Sequence, residues 1–176
     1  LLNVLGESAS LCRFRLVGGK TGSGKTILIN ELSNSIDLEA AAYHRGSSFG
    51  RHAQLQNSQI NFENILAIDF LKLRCQKFQH IILEDEARTI GKACIPKPLF
   101  EKMRKSPLVV IEEPYEARLE RLVQEYIIDM QAEFICLDGK SEGFISFESY
   151  LLSSIDRIQK RLGPARYSGI RKSMEK

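Results

Sequence analysis

The sequence "GKTGSGKT", residues 19–26, matches the pattern G-x-x-x-x-G-K-[ST] at every fixed position. The apolar run Phe14–Val17 precedes it, and a helical pattern from about Lys25 to Leu32 follows it. In this setting the glycines let the backbone curl, so that successive N–H groups and a helix N-terminus point at phosphate oxygens. The stretch therefore predicts a phosphate-binding loop between the first strand and the helix that follows it.

The loop assigns a role to each polar side chain. The Lys25 ammonium is expected to reach the terminal phosphates, and the Thr26 hydroxyl is expected to hold Mg²⁺. A di- or triphosphate is the predicted ligand, and the motif alone leaves open whether it is ATP, GTP or another compound with a diphosphate group. The predicted phosphate-binding residues are Gly19, Gly22, Ser23, Gly24, Lys25 and Thr26.

Outward from the loop, short apolar runs alternate with amphipathic helical patterns. The predicted strands are residues 14–17, 36–39, 80–83 and 108–111, and helical spacing covers residues 62–73 and 117–131. A last helix is predicted to begin near Ser146, a suitable N-cap. This order favours an α/β fold with a parallel sheet covered on both faces, like P-loop NTPases and nucleotide kinases. Arg13 and Arg15 are expected to precede the buried part of the first strand.

The composition is that of a single globular domain, with 43% hydrophobic and 27% charged residues. Residues 1–11 are interpreted as the remnant of an upstream linker. No apolar run approaches the roughly 20 residues that span a bilayer, and no signal peptide is recognised, so no membrane partner is expected. The four cysteines form no C-x-x-C pair, which favours reduced thiols and a cytoplasmic location.

Acidic residues follow two of the predicted strands. Glu84, Asp85 and Glu86 come directly after Ile81–Leu83, where P-loop proteins place a carboxylate near Mg²⁺. Asp37 and Glu39 close another predicted strand, as alternative ligands or as a general base. The alternative for some of these acids is to cap the next helix. The predicted catalytic residues are Lys25, Asp37, Glu39, Glu84 and Glu86, and the predicted metal ligands are Thr26, Glu84 and Glu86.

A second group of anion-binding residue types lies in "HRGSSFG", residues 44–50. Arginine binds phosphate through two parallel hydrogen bonds, serines add donors, and glycines permit close approach. At the carboxyl end of a parallel strand this stretch is expected to face the phosphate loop. The predicted second anion or substrate site comprises His44, Arg45, Gly46, Ser47, Ser48 and Arg118. A satisfied histidine and a surface salt bridge are the alternatives for His44 and Arg118.

The C-terminal segment, residues 146–176, is predicted to be a basic helix and tail. Residues 157–176 contain seven Lys or Arg and one acid, whereas the rest of the chain has 18 basic and 21 acidic residues. A basic end on a slightly acidic body suits a polyanion such as RNA, although a solvated helix face would have the same composition. The predicted RNA contacts are Arg157, Lys160, Arg161 and Arg166.

Seven stretches of the sequence, taken together and in their order along the chain, closely resemble the P-loop domain of tRNA 2-selenouridine synthase. This enzyme is also described as geranyl-2-thiouridine synthase. The resemblance runs from about Cys12 to Tyr167 and is most specific in residues 36–50. The stretches are "GGKTGSGKT", "IDLEAAAYHRGSSFG", "NSQINFEN", "LEDEARTIG", "IPKPLFEKM", "EEPYEARLERLVQEY" and "IQKRLGPARY".

The resemblance implies a function that composition does not show. Such enzymes act on 2-thiouridine at the wobble position of tRNA, transferring geranyl from geranyl diphosphate to sulfur and then replacing S-geranyl with selenium from selenophosphate. It also implies a rhodanese domain with a selenium-handling cysteine, and none of Cys12, Cys75, Cys94 and Cys136 follows a rhodanese loop pattern. A rhodanese domain or subunit is therefore an expected partner, together with tRNA.

Two other functions remain open from the residues. A small-molecule kinase or NTPase of the nucleotide-kinase type would turn over ATP and show little salt-sensitive RNA affinity. A non-catalytic module that positions tRNA would retain RNA binding after loss of Lys25 and would turn over no diphosphate.

Overall fold

A computed structural model describes residues 2–174 of the chain, as an α/β domain extended by a helical C-terminal part. The strands are β1 (Arg13–Gly19), β2 (Ser35–Ile36), β3 (His80–Glu84), β4 (Thr89–Ile90), β5 (Ala93–Cys94) and β6 (Leu108–Ile111). The α-helices are α1 (Leu2–Leu11), α2 (Lys25–Glu31), α3 (Leu38–Ala42), α4 (Gln59–Cys75), α5 (Lys97–Met103), α6 (Tyr115–Val123), α7 (Met130–Asp138), α8 (Lys140–Arg157), α9 (Gln159–Leu162) and α10 (Pro164–Met174). A π-helix, Gln124–Asp129, joins α6 to α7.

The main sheet is parallel and has the strand order β2-β3-β1-β6, with β4 and β5 forming a separate antiparallel hairpin. The register pairs Val17 with Glu84 and Gly19 with Ile111. The phosphate loop therefore leaves the carboxyl end of a central strand, next to the acidic end of β3. The predicted α/β P-loop fold is confirmed.

One face of the sheet packs on the main core. Phe14 and Leu16 of β1 are buried there, with the Phe14 and Phe70 rings 5.7 Å apart. The sequence predicts a linker remnant before Cys12, but Leu2–Leu11 form helix α1 instead, which packs on α4 and α5. Leu5 is 1% exposed within this core. The apolar residues of α1 thus complete the main core.

The opposite face of the sheet is covered only in part. Arg13 and Arg15 lie inside β1, where they are exposed and alternate with buried Phe14 and Leu16, so the expectation that they precede the buried portion is wrong. At the other edge, residues Leu108, Val109 and Val110 of β6 are 49–56% exposed. The prediction of a sheet covered on both faces therefore fails at β6, which leaves an apolar edge strand.

Helices α7 and α8 form a hairpin with its own small core of Met130, Phe134, Phe147 and Tyr150. Helix α8 begins at Lys140 and not at Ser146, because Gly139, at φ 82°, makes the turn between α7 and α8. Of the predicted segments 1–11 and 146–176, Leu1, Glu175 and Lys176 lie outside the described residues. Within residues 2–174, no helix is long and apolar enough to cross a membrane.

Candidate active site

The phosphate loop is held in shape by close backbone approaches. A Cβ on Gly22, at φ 79°, would lie 2.7 Å from the Arg118 carbonyl oxygen, and one on Gly19 would lie 2.5 Å from Ser23 Oγ. Both positions consequently require glycine. Helix α6 packs directly over the loop at Gly22, so the loop is enclosed on its outer side.

Two side chains of the loop, those of Lys25 and Ser23, have donors that can bind a ligand. Lys25 Nζ donates to the Gly19 carbonyl oxygen at 3.2 Å, which holds the ammonium across the loop. Ser23 Oγ is buried without a hydrogen-bond partner in the described chain. Because an unpaired buried hydroxyl is costly, this orphan points to a polar ligand in the loop.

Thr26 and Glu84 adjoin as the metal prediction requires. Thr26 Oγ1 donates to Glu84 Oε1 at 3.2 Å, and the Glu39 N–H donates to Glu84 Oε2 at 3.2 Å. Glu84 is completely buried at the end of β3. Among the described residues no group of three or more His, Cys, Asp or Glu is arranged as a metal site. This donor set fits Mg²⁺, which takes one or two protein oxygens and fills its other positions with water and phosphate.

Three glutamates crowd the metal position. Burial, with the carboxylates of Glu84 and Glu86 nearby, raises the pKa of Glu39 to about 9. Burial, with Asp37 nearby, raises the pKa of Glu84 to about 7. Burial also raises the pKa of Glu86, although a hydrogen bond from Glu39 opposes this. Near neutral pH, Glu39 is therefore protonated, and its O–H donates a hydrogen bond to the Glu86 carboxylate.

The "HRGSSFG" stretch, residues 44–50, lines the same cavity as the phosphate loop through Arg45, Gly46 and Ser47. Gly46, at φ 60°, has no room for a side chain, because a Cβ there would lie 2.2 Å from Glu39 Oε1. The two predicted anion sites thus form two walls of one cavity of about 380 Å³. Its lining residues are Gly19, Thr21–Ile27, Glu39, Arg45–Ser47, Asp85, Glu86, Glu125 and Tyr126.

Arg45 is positioned by Glu133 of α7. Its Nη2 forms an ion pair with Glu133 Oε1, and the same carboxylate accepts hydrogen bonds from His52 Nδ1 at 2.9 Å and the Ala53 N–H at 3.2 Å. Arg45 Nη1 is buried and has no hydrogen-bond partner within residues 2–174. The guanidinium therefore has one side tied to the protein and one side left for an anion in the cavity.

Two of the predicted residues make structural contacts beside the cavity. Asp37 caps helix α3 by accepting from the Ala40 N–H at 2.7 Å, and Glu39 belongs to the first turn of that helix, not to a strand. The His44 ring packs on Gly91, where an added Cβ would lie 2.5 Å from its Cδ2. Burial lowers the pKa of His44, which favours the neutral ring. Neither Asp37 nor His44 lines the cavity, so the predicted role of Asp37 in catalysis and that of His44 in the second anion site stay predictions.

Arg118 lies on the outer side of the phosphate loop. Its Nε donates to the Thr21 carbonyl oxygen at 3.1 Å, and Arg121 Nη1 donates to the Gly22 carbonyl oxygen at 3.0 Å. Both arginines bind backbone carbonyls of the loop, and neither lines the cavity. Arg118 accordingly supports the loop from α6, and its predicted place in the second anion site stays a prediction.

The predicted RNA-contacting residues divide into two pairs. Arg157 Nη2 donates to the Ser48 carbonyl oxygen at 3.3 Å, and Arg161 Nη2 donates to Ser48 Oγ at 3.2 Å. Lys160 and Arg166 are exposed. Ser48 therefore connects residues 44–50 to the C-terminal helices. Arg157 and Arg161 have this structural role in addition to any contact with RNA.

Sequence reasoning missed Glu125, Tyr126 and Glu133. Tyr126 belongs to the apolar stripe predicted for residues 117–131, and Glu125 and Glu133 read as ordinary surface acids. The π-helix changes the phase of this helix and turns both Glu125 and Tyr126 into the cavity. Single π turns within α-helices are frequent at functional sites, but the sequence carries no reliable signal for them.

An apolar groove of about 510 Å³ adjoins the cavity. The two share Thr21, Ser47 and Tyr126, so the groove opens beside the phosphate loop. Phe49 lines the groove, whereas Phe62 is fully buried in the main core. The remaining lining residues are Ser48, Leu122, Ile127, Leu151, Arg161 and Met174.

The parallel sheet, the glycine-rich loop and the Thr26–Glu84 pair define an α/β P-loop domain. The chain belongs to the tRNA 2-selenouridine synthase family: the family's model, described as the tRNA 2-selenouridine synthase AAA domain, matches residues 12–176. No solved structure matches the chain.

Curated tRNA 2-selenouridine synthases from three bacteria illustrate the similarity. The enzyme from Pseudomonas fluorescens is 45% identical over 175 residues, which cover 99% of this chain and 47% of the relative. The enzyme from Pseudomonas aeruginosa is 50% identical over 156 residues, 89% of this chain and 42% of the relative. The enzyme from Photobacterium profundum is 45% identical over 152 residues, 86% of this chain and 42% of the relative. The chain thus spans about half the length of these relatives.

Proposed function

We propose that the chain is the part of a tRNA-modifying transferase that binds geranyl diphosphate and transfers its prenyl group to the sulfur of wobble 2-thiouridine. The observation that carries the proposal is the apolar groove, which begins where the phosphate loop ends and shares Thr21, Ser47 and Tyr126 with the cavity. Family membership supports tRNA as the acceptor.

The two compartments suit the two ends of a prenyl diphosphate. The diphosphate meets the loop N–H groups, Lys25 and the orphan Ser23 hydroxyl. The prenyl chain meets Phe49, Leu122 and Ile127 in the groove. A nucleoside would instead need polar partners for its base and ribose, and the groove lining is dominated by apolar side chains.

The proposed reaction places the developing charge at the loop. The uridine sulfur attacks C1 of the prenyl chain, a C–S bond forms, and the C–O bond to pyrophosphate breaks. The N3 proton of the thiouridine leaves to water, so that the S-alkylated base is neutral. Thr26 and Glu84 would hold Mg²⁺, which would supply positive charge for the departing pyrophosphate, and the Lys25 ammonium would add a second positive charge there. The unpaired Arg45 Nη1 offers a second anion contact, for a tRNA phosphate or for selenophosphate. Conversion to 2-selenouridine then requires a rhodanese domain or subunit as partner.

Binding measurements with Mg²⁺ present test the donor assignment. We expect geranyl diphosphate to bind more tightly than pyrophosphate or ATP by calorimetry, because the groove buries apolar surface. Ile127→Asn should weaken geranyl diphosphate binding about tenfold and leave pyrophosphate unchanged. Ile128→Asn is the matched control, because Ile128 is 51% exposed beside the groove residue Ile127.

Turnover tests the reaction itself. Incubation with 2-thiouridine-containing tRNA and geranyl diphosphate, followed by nucleoside mass spectrometry, should yield S-geranylated uridine with the native chain and none with Lys25→Ala. Lys20→Ala, which removes an exposed lysine of the same loop, should retain the product. Tighter binding of ATP with ATP turnover would establish the kinase or NTPase alternative. RNA binding without turnover of any diphosphate would establish the positioning module.

A further inference from the structure

We infer that a basic notch at the amino-terminal edge of the sheet, remote from the phosphate loop, binds the phosphate backbone of RNA; naming tRNA as that RNA rests on the proposed function. The notch is a cavity of about 300 Å³ lined by Arg13–Arg15, His80, Lys102 and Lys105–Pro107. No residue assigned to the active site contributes to it.

The sheet register creates the notch. Strand β1 starts at Arg13, but its pairing with β6 starts only at Leu16, opposite Leu108. On that side, residues Arg13–Arg15 consequently have no strand beside them. The end of α5 and the turn before β6 border the gap and place Lys102 and Lys105 opposite the two arginines.

The charges in the notch are all of one sign. Arg13, Arg15, Lys102 and Lys105 line it, and no Asp or Glu does so among the described residues. No ion pair within residues 2–174 involves any of these four cations. In contrast, Lys97 on the same helix pairs with Glu101 at 3.8 Å. Four unpaired cations around one small cavity repel each other, and an anion in the notch relieves that repulsion.

Structural roles account for only part of this arrangement. Lysines near the end of α5 interact favourably with its C-terminal carbonyls, which explains Lys102 and Lys105. That effect does not explain two exposed arginines in a central parallel strand, where both faces are usually apolar. The repulsion that Arg13 and Arg15 add in this position is offset by an anionic ligand.

The distance between the notch and the phosphate loop favours a long polyanion over a small anion as the ligand. It lies at the start of β1, whereas the phosphate loop follows the seventh and last residue of that strand, roughly 20 Å away. One small phosphate cannot reach both ends, but an RNA chain with a phosphate on every nucleotide can. The notch thus provides a sequence-independent contact that holds the RNA while its modified base lies at the phosphate loop.

Salt-dependent binding of labelled tRNA tests the inference. Lys102→Gln/Lys105→Gln should weaken binding about tenfold at low salt and reduce the slope of log K against log salt by about 1.5, as expected for two lost phosphate contacts. The control Lys72→Gln/Lys97→Gln removes the same net charge from lysines paired with Asp69 and Glu101, and it should change neither. Equal affinity and slope in the two double variants would overturn the inference.

Two further measurements keep the outcome interpretable. The single variant Lys105→Gln alters one exposed side chain and should reduce the slope by about half as much, even if the double variant folds poorly. Calorimetry of pyrophosphate with Lys25→Ala tests free anions: binding that is lost when Lys102 and Lys105 are also replaced would make the notch a small-anion site and refute the RNA assignment. Failure of geranyl transfer leaves these binding results unchanged and would count only against the proposed function.

Discussion

Glu133 shows how much of the site depends on a residue outside it. Its carboxylate holds the Arg45 guanidinium, His52 and the Ala53 N–H at once, so it ties α7 to residues 45–53. Glu133→Gln should cost about 1–3 kcal/mol of unfolding free energy and weaken pyrophosphate binding, because Arg45 loses its fixed position. Urea denaturation and calorimetry measure the two effects. Glu148→Gln, at an exposed glutamate of α8, should change neither, and equal behaviour of both variants would contradict the role given to Glu133.

Glu39 predicts a pH dependence of stability. Since the pKa of Glu39 is raised to about 9 in the folded chain, the folded state binds more protons than the unfolded state between about pH 4.5 and 9. Unfolding free energy therefore falls as pH rises from 7 to 9, by up to about 1.4 kcal/mol per pH unit for one proton.

The variant Glu39→Gln tests this cause, because a glutamine amide can still donate to Glu86 and does not ionise. Its urea denaturation should show a flatter pH profile between pH 7 and 9 and a higher stability at pH 9. The exposed replacement Glu120→Gln should keep the native profile. A native slope in Glu39→Gln would show that another group dominates.

At this scale the sequence predicts what a local motif determines. Lys25, Thr26 and Glu84 follow from the loop pattern and from the end of the next strand, and the structure brings them together. Tyr126 reaches the cavity, and Glu133 reaches Arg45, only through the tertiary packing of the π-helix and α7. His44 has the residue type of a ligand but is directed by Gly91 into a packed position, which no local pattern reveals.

Among the elements, α1 is the clearest departure from the sequence prediction. Its residues show only a weak amphipathic pattern, so a linker remnant is the simpler interpretation of residues 1–11 without knowledge of α4 and α5. Packing decides the matter, since Leu5 and Ala9 bury their side chains in the main core. Strands β1, β3 and β6 and helix α4 are predicted well by periodicity, but residues 37–39 belong to the N-terminal part of α3 and not to a strand. The start of α8 is not predicted either, because Gly139 sets it by backbone conformation.

Replacement of Leu5 measures the contribution of α1. Leu5→Ala should lower the unfolding free energy by about 2–5 kcal/mol, because it leaves a cavity at a side chain that is 1% exposed. Leu11→Ala, in the same helix at 68% exposure, should cost far less. Urea denaturation of both variants provides the comparison, and similar small losses would mean that α1 contributes little to the core.

On the scale of the whole molecule, β6 leaves the sheet open at one edge. Leu108, Val109 and Val110 are half-exposed on a strand that has no neighbour on its outer side among the described residues. Such an edge is a template for pairing with another chain. This chain is therefore expected to self-associate as its concentration rises.

Val109→Lys should suppress that association, since a charged side chain on an edge strand blocks pairing between sheets. Sedimentation velocity over a concentration series measures the effect, and the thermal midpoint should stay near the native value. Ile128→Lys introduces the same charge at a similarly exposed residue away from the sheet and should leave association unchanged. Association that persists in Val109→Lys would place the contact elsewhere.

The π-helix between α6 and α7 sets the rotational phase between the two halves of the molecule. Removing one residue from Gln124–Asp129 would turn α7 by about 100° relative to the phosphate loop. Met130 and Phe134 would leave the second core, and Glu133 would lose Arg45. In evolutionary terms, this segment should not tolerate deletions or insertions. The turn at Gly163, where an added side chain would meet no atom within 4 Å, offers a place where the chain can change its length.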